Sequence, residues 1–267
     1  MNTNQISYKN IAQIKASARG CLSGHYTLFV LTTLFVYSVN FLLLMFSVDY
    51  PALPFLVNYG IQLLMQVLTG MLLQSLQYGI FHMHLFNCCH QPVRFSDIFS
   101  VFRSHERNAT KLILFFSLLL PILQIPSDLF LYVTNSPEEF SGSKADAALV
   151  WLTVFFPEEI SDTKRWVIWS CMLAVGLLIY LILQLYFGFS YLIQMDFPDK
   201  PFSKILKMSS WLMKGNKIRL FLLMLSFLPL YILGAFSCYI GILFIVPYFY
   251  ATLTCFYLDL TKKKASM

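Results

Sequence analysis

Residues 202–259 read FSKILKMSSWLMKGNKIRLFLLMLSFLPLYILGAFSCYIGILFIVPYFYATLTCFYLD. In the first twelve residues Phe202, Ile205, Leu206 and Leu212 recur at helical spacing, with Lys204 and Lys207 among them. That pattern puts one apolar stripe on a basic helix. Lys214-Gly215-Asn216-Lys217 interrupts it, and an almost uncharged run then extends over 218–258. A membrane-spanning helix needs about 20 mainly apolar residues, so this run is too long for one span. Gly234, the Ser237-Cys238-Tyr239 stretch and Gly241 divide it into spans at 219–236 and 240–259. The unit is a surface helix followed by a membrane hairpin.

Outward from this segment, further runs qualify at 26–48, 60–86, 112–133 and 166–195. The expected fold is all-α: a polytopic membrane helix bundle of six transmembrane helices with cytoplasmic amphipathic helices, one integral membrane domain over 1–267. Composition agrees. Apolar residues make up 58% of the 267 and charged residues 12%, with a mean hydropathy of +0.66. A soluble domain carries about 25% charged residues, so a cytosolic enzyme, a secreted disulfide scaffold and a disordered chain are excluded. The first 25 residues are polar, and Tyr26–Val48 reads as an uncleaved signal anchor.

The formal charge is +6, from 19 Lys and Arg against 13 Asp and Glu. With the N-terminus inside, six spans place 16 of the 19 basic residues on the cytoplasmic side and leave only Lys144, Lys164 and Arg165 outside. A five-span or inverted arrangement loses this sorting, which the positive-inside rule favours. Both termini are therefore expected inside a plasma membrane. The external loop 134–165 holds an apolar stretch, 147–156, too short to cross and read as interfacial or re-entrant.

The pattern of basic surface segment, small polar break and span occurs three times. Ile11, Ile14, Ala18 and Leu22 lead to Gly24-His25; Phe95, Ile98, Phe99 and Phe102 lead to Asn108; the third copy is the one quoted. A threefold internal repeat over roughly 8–86, 92–196 and 200–260 follows. Each surface helix is expected to sink its apolar face into the bilayer and present Lys and Arg to anionic lipid headgroups. The +6 thus points to a membrane surface and not to nucleic acid, for which no motif is present.

One resemblance goes further. Tyr191, Asp196 and Pro198; Met213-Lys214-Gly215-Asn216; Phe221 with Leu225-Ser226-Phe227; Gly241; Pro247-Tyr248; and Phe256-Tyr257 form a set. With Ala18-Arg19 to Gly24-His25 and the Arg94–Phe99 run, it resembles the bacterial domain-of-unknown-function family numbered 975. The likeness covers most of the chain and is most specific over 191–260. It implies a multi-pass membrane protein and a structural role for Asp196, Pro198, Gly215, Asn216, Pro247 and Tyr248. It implies no reaction. The family's usual Pro-Gly pair in the fourth span is replaced by Tyr186-Phe187-Gly188-Phe189, so a weaker kink is expected there. A distant similarity to membrane domains found beside glycerophosphodiester phosphodiesterases suggests a lipid-related setting.

Four groups of residues are candidates for chemistry. Asn58, Gln62, Gln66, Thr69, Gln74 and Gln77 (with Gly70) fall within an arc of about 160° on the second span. They read as interhelical hydrogen-bonding groups or, alternatively, as the wall of a cavity; the packing reading is favoured because such residues commonly glue membrane helices. His82, His84, Cys88, Cys89 and His90 are metal-ligand types at no established spacing, and His82 and His84 lie about 200° apart on a helix. No metal site or other cofactor is assigned, and an acylation site at the paired cysteines is a minor alternative. Cys171, Cys238 and Cys255 lie in apolar runs as small hydrophobes, and no disulfide framework is expected. Asp49, Asp128, Asp196 and Asp259 sit near span ends, which argues against a proton-coupled transporter or intramembrane protease. Lys204, Lys207, Lys214 and Lys217 flank the Gly215-Asn216 joint; the joint itself is helix punctuation, and the lysines are candidate headgroup contacts. The Asn108-Ala109-Thr110 sequon falls on the cytoplasmic side and is read as chance.

No Gly-rich phosphate loop, nucleophile elbow or zincin motif is present. The leading expectation is a non-enzymatic bacterial membrane protein that organises anionic lipid, or an unidentified membrane-protein partner, at the inner leaflet. A transporter or lipid-translocating protein using the Gln stripe is the first alternative, and a lipid-modifying membrane enzyme the second.

Overall fold

The computed structural model describes residues 9–45, 55–104, 107–135, 161–237 and 240–265. Asp49, Cys238, Lys144 and the 147–156 stretch lie outside the described residues. Among those described there is no strand, and the expected all-α membrane bundle stands. Helix α1 is Ile11–Leu22, α2 Tyr26–Met45 and α3 Phe55–Cys88; a 3-10 turn, Phe95–Phe99, leads into the short α4, Ser100–Ser104. Then come α5 Arg107–Asn135, α6 Asp162–Phe187, α7 Ser190–Asp196, α8 Phe202–Met213, α9 Lys217–Leu225, α10 Leu228–Phe236 and α11 Ile240–Ala265.

Five helical stretches are long and apolar enough to cross a membrane: Tyr26–Met45, Arg107–Leu131, Asp162–Asp196, Lys217–Phe236 and Ile240–Lys264. In Asp162–Asp196 the most apolar window has no buried residue, so its Leu and Ile side chains need lipid for cover. Helix α3 contains the expected span 60–86 but is not among the five. Its 34 residues measure about 51 Å, well over the bilayer core. The amides that form its polar stripe lower its hydropathy.

The chain divides into two compact units. One comprises Met1–Leu42, Leu72–Leu114 and Gln184–Met267; the other comprises Leu43–Met71 and Phe115–Leu183.

The first unit displays the repeat. Helices α1 and α8 start 191 residues apart, at Ile11 and Phe202, and end the same distance apart, at Leu22 and Met213. Each is followed by a glycine of positive φ, Gly24 at 90° and Gly215 at 84°, a geometry that an L side chain resists. The next helices start at Tyr26 and Lys217, the same offset again. Ile14, Ala18 and Leu22 are buried, as are their equivalents Ile205, Ser209 and Met213. In the middle copy the surface segment is a 3-10 turn and not the expected regular helix, yet Ile98 is as fully buried as Ile14 and Ile205.

The second helix of each hairpin repeats too. Gly79, Gly188 and Ala251 each stand eight residues before a polar residue, Asn87, Asp196 and Asp259, the first two at the ends of α3 and α7. Surface segments pack on these helices in cyclic order. The 3-10 turn lies on α3, where a Cβ on Gly79 would come within 1.9 Å of the Ile98 carbonyl oxygen. Helix α8 packs on α7, and α1 returns to α11. Ala18 and Leu22 share a buried cluster with Phe29, Leu76, Met83, Ile98 and Ala251.

This corrects one expectation. The apolar stripe of α1 does not enter lipid; Ile14, Ala18 and Leu22 are buried inside the protein, because α11 offers a small, apolar surface there. A second correction concerns the fourth span. Gly188 and Phe189 interrupt it between α6 and α7, so a break is present without the Pro-Gly pair. The fifth span also breaks, at Ser226-Phe227, with Pro229 in the first turn of α10. Lys15 fills that break, donating to the Ser226 carbonyl at 3.1 Å and lying 4.4 Å from the Phe227 ring centroid. Partial burial, and then the nearby Arg19 charge, push the Lys15 ammonium below the usual lysine range.

In the second unit α3 and α5 approach closely. A Cβ on Gly70 would meet the Ser117 Cβ at 3.3 Å. Pro121 and Pro126 sit inside α5 without ending it, and the Ser127 hydroxyl bonds the Gln124 carbonyl at 2.7 Å.

Candidate functional site

Helix α8 has two faces. Ile205, Ser209, Leu212 and Met213 are buried, and the Ser209 hydroxyl donates to the Tyr186 carbonyl at 3.0 Å, fixing α8 against the end of α6. The other face carries Phe202, Leu206, Lys207 and Trp211. With Phe187, Lys214 and Lys217 these line a groove of about 700 Å³. Lys214 and Lys217 flank the left-handed Gly215-Asn216 turn and line the same groove.

Three of the four lysines expected to meet headgroups therefore line this groove; Lys204 does not. None of the three is in an ion pair among the described residues. Lys217 Nζ stands 3.1 Å from the Tyr186 ring centroid, held by the ring quadrupole. Lys264 lies 3.9 Å from the Trp211 ring centroid and donates to the Trp211 carbonyl. The groove thus combines apolar and aromatic side chains with three cations. Such a surface suits an amphiphile with an anionic head, whose charge lysines meet as point donors.

The polar stripe of α3 has a different character. In the second unit Gln66 Nε2 donates to Gln124 Oε1 at 3.1 Å and Tyr59 Oη to Asp128 Oδ2 at 3.4 Å. Thr69 bonds back to the Met65 carbonyl at 2.9 Å, and Asn58 and Gln62 are also engaged. In the first unit Gln74 accepts from Tyr191 Oη at 2.9 Å, while Gln77 is half-buried. The Gln66–Gln124, Tyr59–Asp128 and Gln74–Tyr191 bonds join different helices, whereas the Thr69 bond stays within α3.

The residues singled out by family resemblance occupy joints. Asp196 accepts a hydrogen bond from Tyr257 Oη, and the Pro198 carbonyl accepts from Gln194 Nε2 at 3.2 Å. Buried Asn216 starts α9. Pro247 lies within α11, and Tyr248 packs on Phe227 with ring centroids 5.2 Å apart. Within α11, Asp259 accepts from Arg219 Nη2 at 2.7 Å and from the Lys9 amide at 3.3 Å.

The His and Cys residues of 82–90 do not converge on one another. His84 is buried, stacked on Phe29 at 4.2 Å, and His82 stacks on Phe86 at 4.1 Å. Cys88 instead meets two cysteines distant in sequence. Its Sγ is 3.8 Å from that of Cys255, which is 3.9 Å from that of Cys21. Hydrogen bonds from Cys255 and Cys88 hold the Cys21 thiol well below the usual thiol range. Sequence spacing carries no sign of this cluster, since 67 and 167 residues separate its members. Superposing the three repeats would have shown all three cysteines near one end of the bundle.

The fold and these sites define a helical integral membrane protein with a basic, aromatic groove at the foot of one hairpin. The chain belongs to the family described as protein of unknown function (DUF975), whose model matches residues 5–264. No curated protein and no solved structure matches it.

Proposed function

We propose that this protein is a six-span plasma-membrane protein, both termini cytoplasmic, that holds anionic lipid at the inner leaflet and has no enzymatic activity. The supporting observation is the groove in which Lys207, Lys214 and Lys217 border Phe187, Phe202 and Trp211. Acyl chains would lie on the apolar and aromatic side chains and a phosphate-bearing head among the lysines. Each basic residue near an anionic surface contributes about 1 kcal/mol. Removing three should weaken retention by roughly 3 kcal/mol, about a hundredfold.

The test is lipid retention in native mass spectrometry after purification from vesicles mixing phosphatidylglycerol and phosphatidylcholine. The protein should retain phosphatidylglycerol selectively, and the combined Lys207→Gln, Lys214→Gln and Lys217→Gln variant should lose that selectivity. Equal retention by both proteins would overturn the proposal. Cysteines introduced singly at positions 3 and 144 of a cysteine-free background report topology: an impermeant maleimide added to intact cells should label only position 144.

A further inference from the structure

We infer that Cys21, Cys88 and Cys255 form a binding site for one thiophilic d10 cation, Zn²⁺ or Cu⁺, through their three thiolates. The geometry carries the inference. All three Sγ atoms lie within 4.8 Å of one another, with Cys255 at 3.9 and 3.8 Å from the other two. Metal–sulfur bonds of about 2.3 Å in a tetrahedral centre place the sulfurs about 3.8 Å apart. Disulfide sulfurs lie at about 2.05 Å, and pairing any two of these would strand the third. Thiolate sets of this kind select Zn²⁺ or Cu⁺ over hard cations.

The place of the cluster in the repeat supports the same conclusion. Cys21 lies in the last turn of α1 and Cys88 ends α3, both in the first repeat, whereas Cys255 is on α11 in the third. The cation would therefore clamp the seam at which the chain closes on itself, where α1 packs on α11. The equivalent of Cys21 in the third repeat is Leu212, and the equivalents of Cys255 are Leu192 and Met83. All three are buried apolar residues. Packing at the other seams needs no thiol, so the scaffold alone does not account for three at this one. Binding would convert thiols to thiolates and release their protons to solvent.

The test uses the full-length protein in detergent, reduced and stripped of metal. Co²⁺ serves as the spectroscopic probe for Zn²⁺, and a chromophoric Cu⁺ chelator as the competitor for Cu⁺. One Co²⁺ per chain should give thiolate-to-cobalt charge-transfer absorption that Zn²⁺ abolishes stoichiometrically, or one Cu⁺ per chain should be withheld from the chelator. The arm that succeeds identifies the ion. Cys255→Ser should weaken binding by about 100-fold or more, since even outer-shell changes cost 10–100-fold; Cys171→Ser, an exposed thiol on α6, should not. Cys21→Leu, which installs the residue found at the equivalent position of α8, keeps the test decisive if the serine variant fails to fold. Metal should raise the unfolding temperature of the parent and leave that of Cys21→Leu unchanged. Failure of both ions to bind at one per chain, a Cys21–Cys255 disulfide in protein prepared without air, or binding that survives Cys21→Leu would overturn the inference.

Discussion

Replacing Gly79 with alanine tests the tightest approach at any glycine among the described residues. The added Cβ would stand 1.9 Å from the Ile98 carbonyl oxygen, 2.5 Å from its carbon and 2.7 Å from Cα. Ordinary contact begins near 3.4 Å, so the 3-10 turn must retreat by about 1.5 Å. The opposing atoms are backbone, and no side-chain rotation relieves them. Overpacking typically costs about 1–3 kcal/mol, and the upper end applies where a backbone segment has to move. Alanine recovers about 1 kcal/mol of helix propensity over glycine, leaving a net loss of about 2 kcal/mol. Gly20→Ala is the matched control: a Cβ on this helical glycine of α1 would have nothing within 4 Å, so only the propensity gain should appear. Both are measured by unfolding in mixed micelles of rising dodecyl sulfate fraction. Gly79→Ala should unfold at a lower fraction than the parent and Gly20→Ala at an equal or higher one. If Gly79→Ala proved as stable as the parent, the turn would not lie against α3 as described, and the cyclic packing order would lose its middle seam.

Two further outcomes follow from the polar joints. The Arg219–Asp259 pair is largely buried, with side chains 19% and 9% exposed. Asp259→Ala should therefore cost about 3 kcal/mol by stranding a charge, while Arg219→Met with Asp259→Leu should recover most of that loss; the same micelle titration measures both. For the stripe, a double-mutant cycle of Gln66→Leu and Gln124→Leu should give a coupling of about 0.6 kcal/mol, the usual value for hydrogen bonds between membrane helices. A coupling of zero would remove the packing reading of these amides.

Five of the expected spans were legible because a long apolar run has few other solutions. The Gly215 joint was legible for a similar reason, since Gly-Asn between a basic helix and an apolar run is helix punctuation. The polar stripe was visible as an arc, although Gln124 and Tyr191 as partners of Gln66 and Gln74 were not. What could not be read was the identity of each apolar partner. The stripe Ile14, Ala18 and Leu22 demands burial, and lipid and protein satisfy that demand equally. Only the return of α11 to α1 decides between them. Cys255 looked like a small hydrophobe for the same reason, because a thiol shows its ligand character only when others stand beside it. The break at Gly188 was missed because expectation rested on proline, whereas a glycine alone sufficed.

Comparing the repeats separates scaffold from specialisation. Positions that match across copies, such as Ile14, Ile98 and Ile205, are buried and build the seams. Around the groove the copies diverge: Lys207, Lys214 and Lys217 correspond in the first repeat to Ala16, Ser23 and Tyr26. Those three residues occupy the same backbone positions beside the same left-handed glycine, so the fold accommodates them. Transplanting them, as Lys207→Ala with Lys214→Ser and Lys217→Tyr, should leave the unfolding midpoint within about 0.5 kcal/mol of the parent, as surface changes do, while abolishing selective retention of phosphatidylglycerol. Loss of folding would instead mean that the lysines hold α8 and α9 together, the Lys217–Tyr186 contact foremost, and the groove would then be a by-product of that packing.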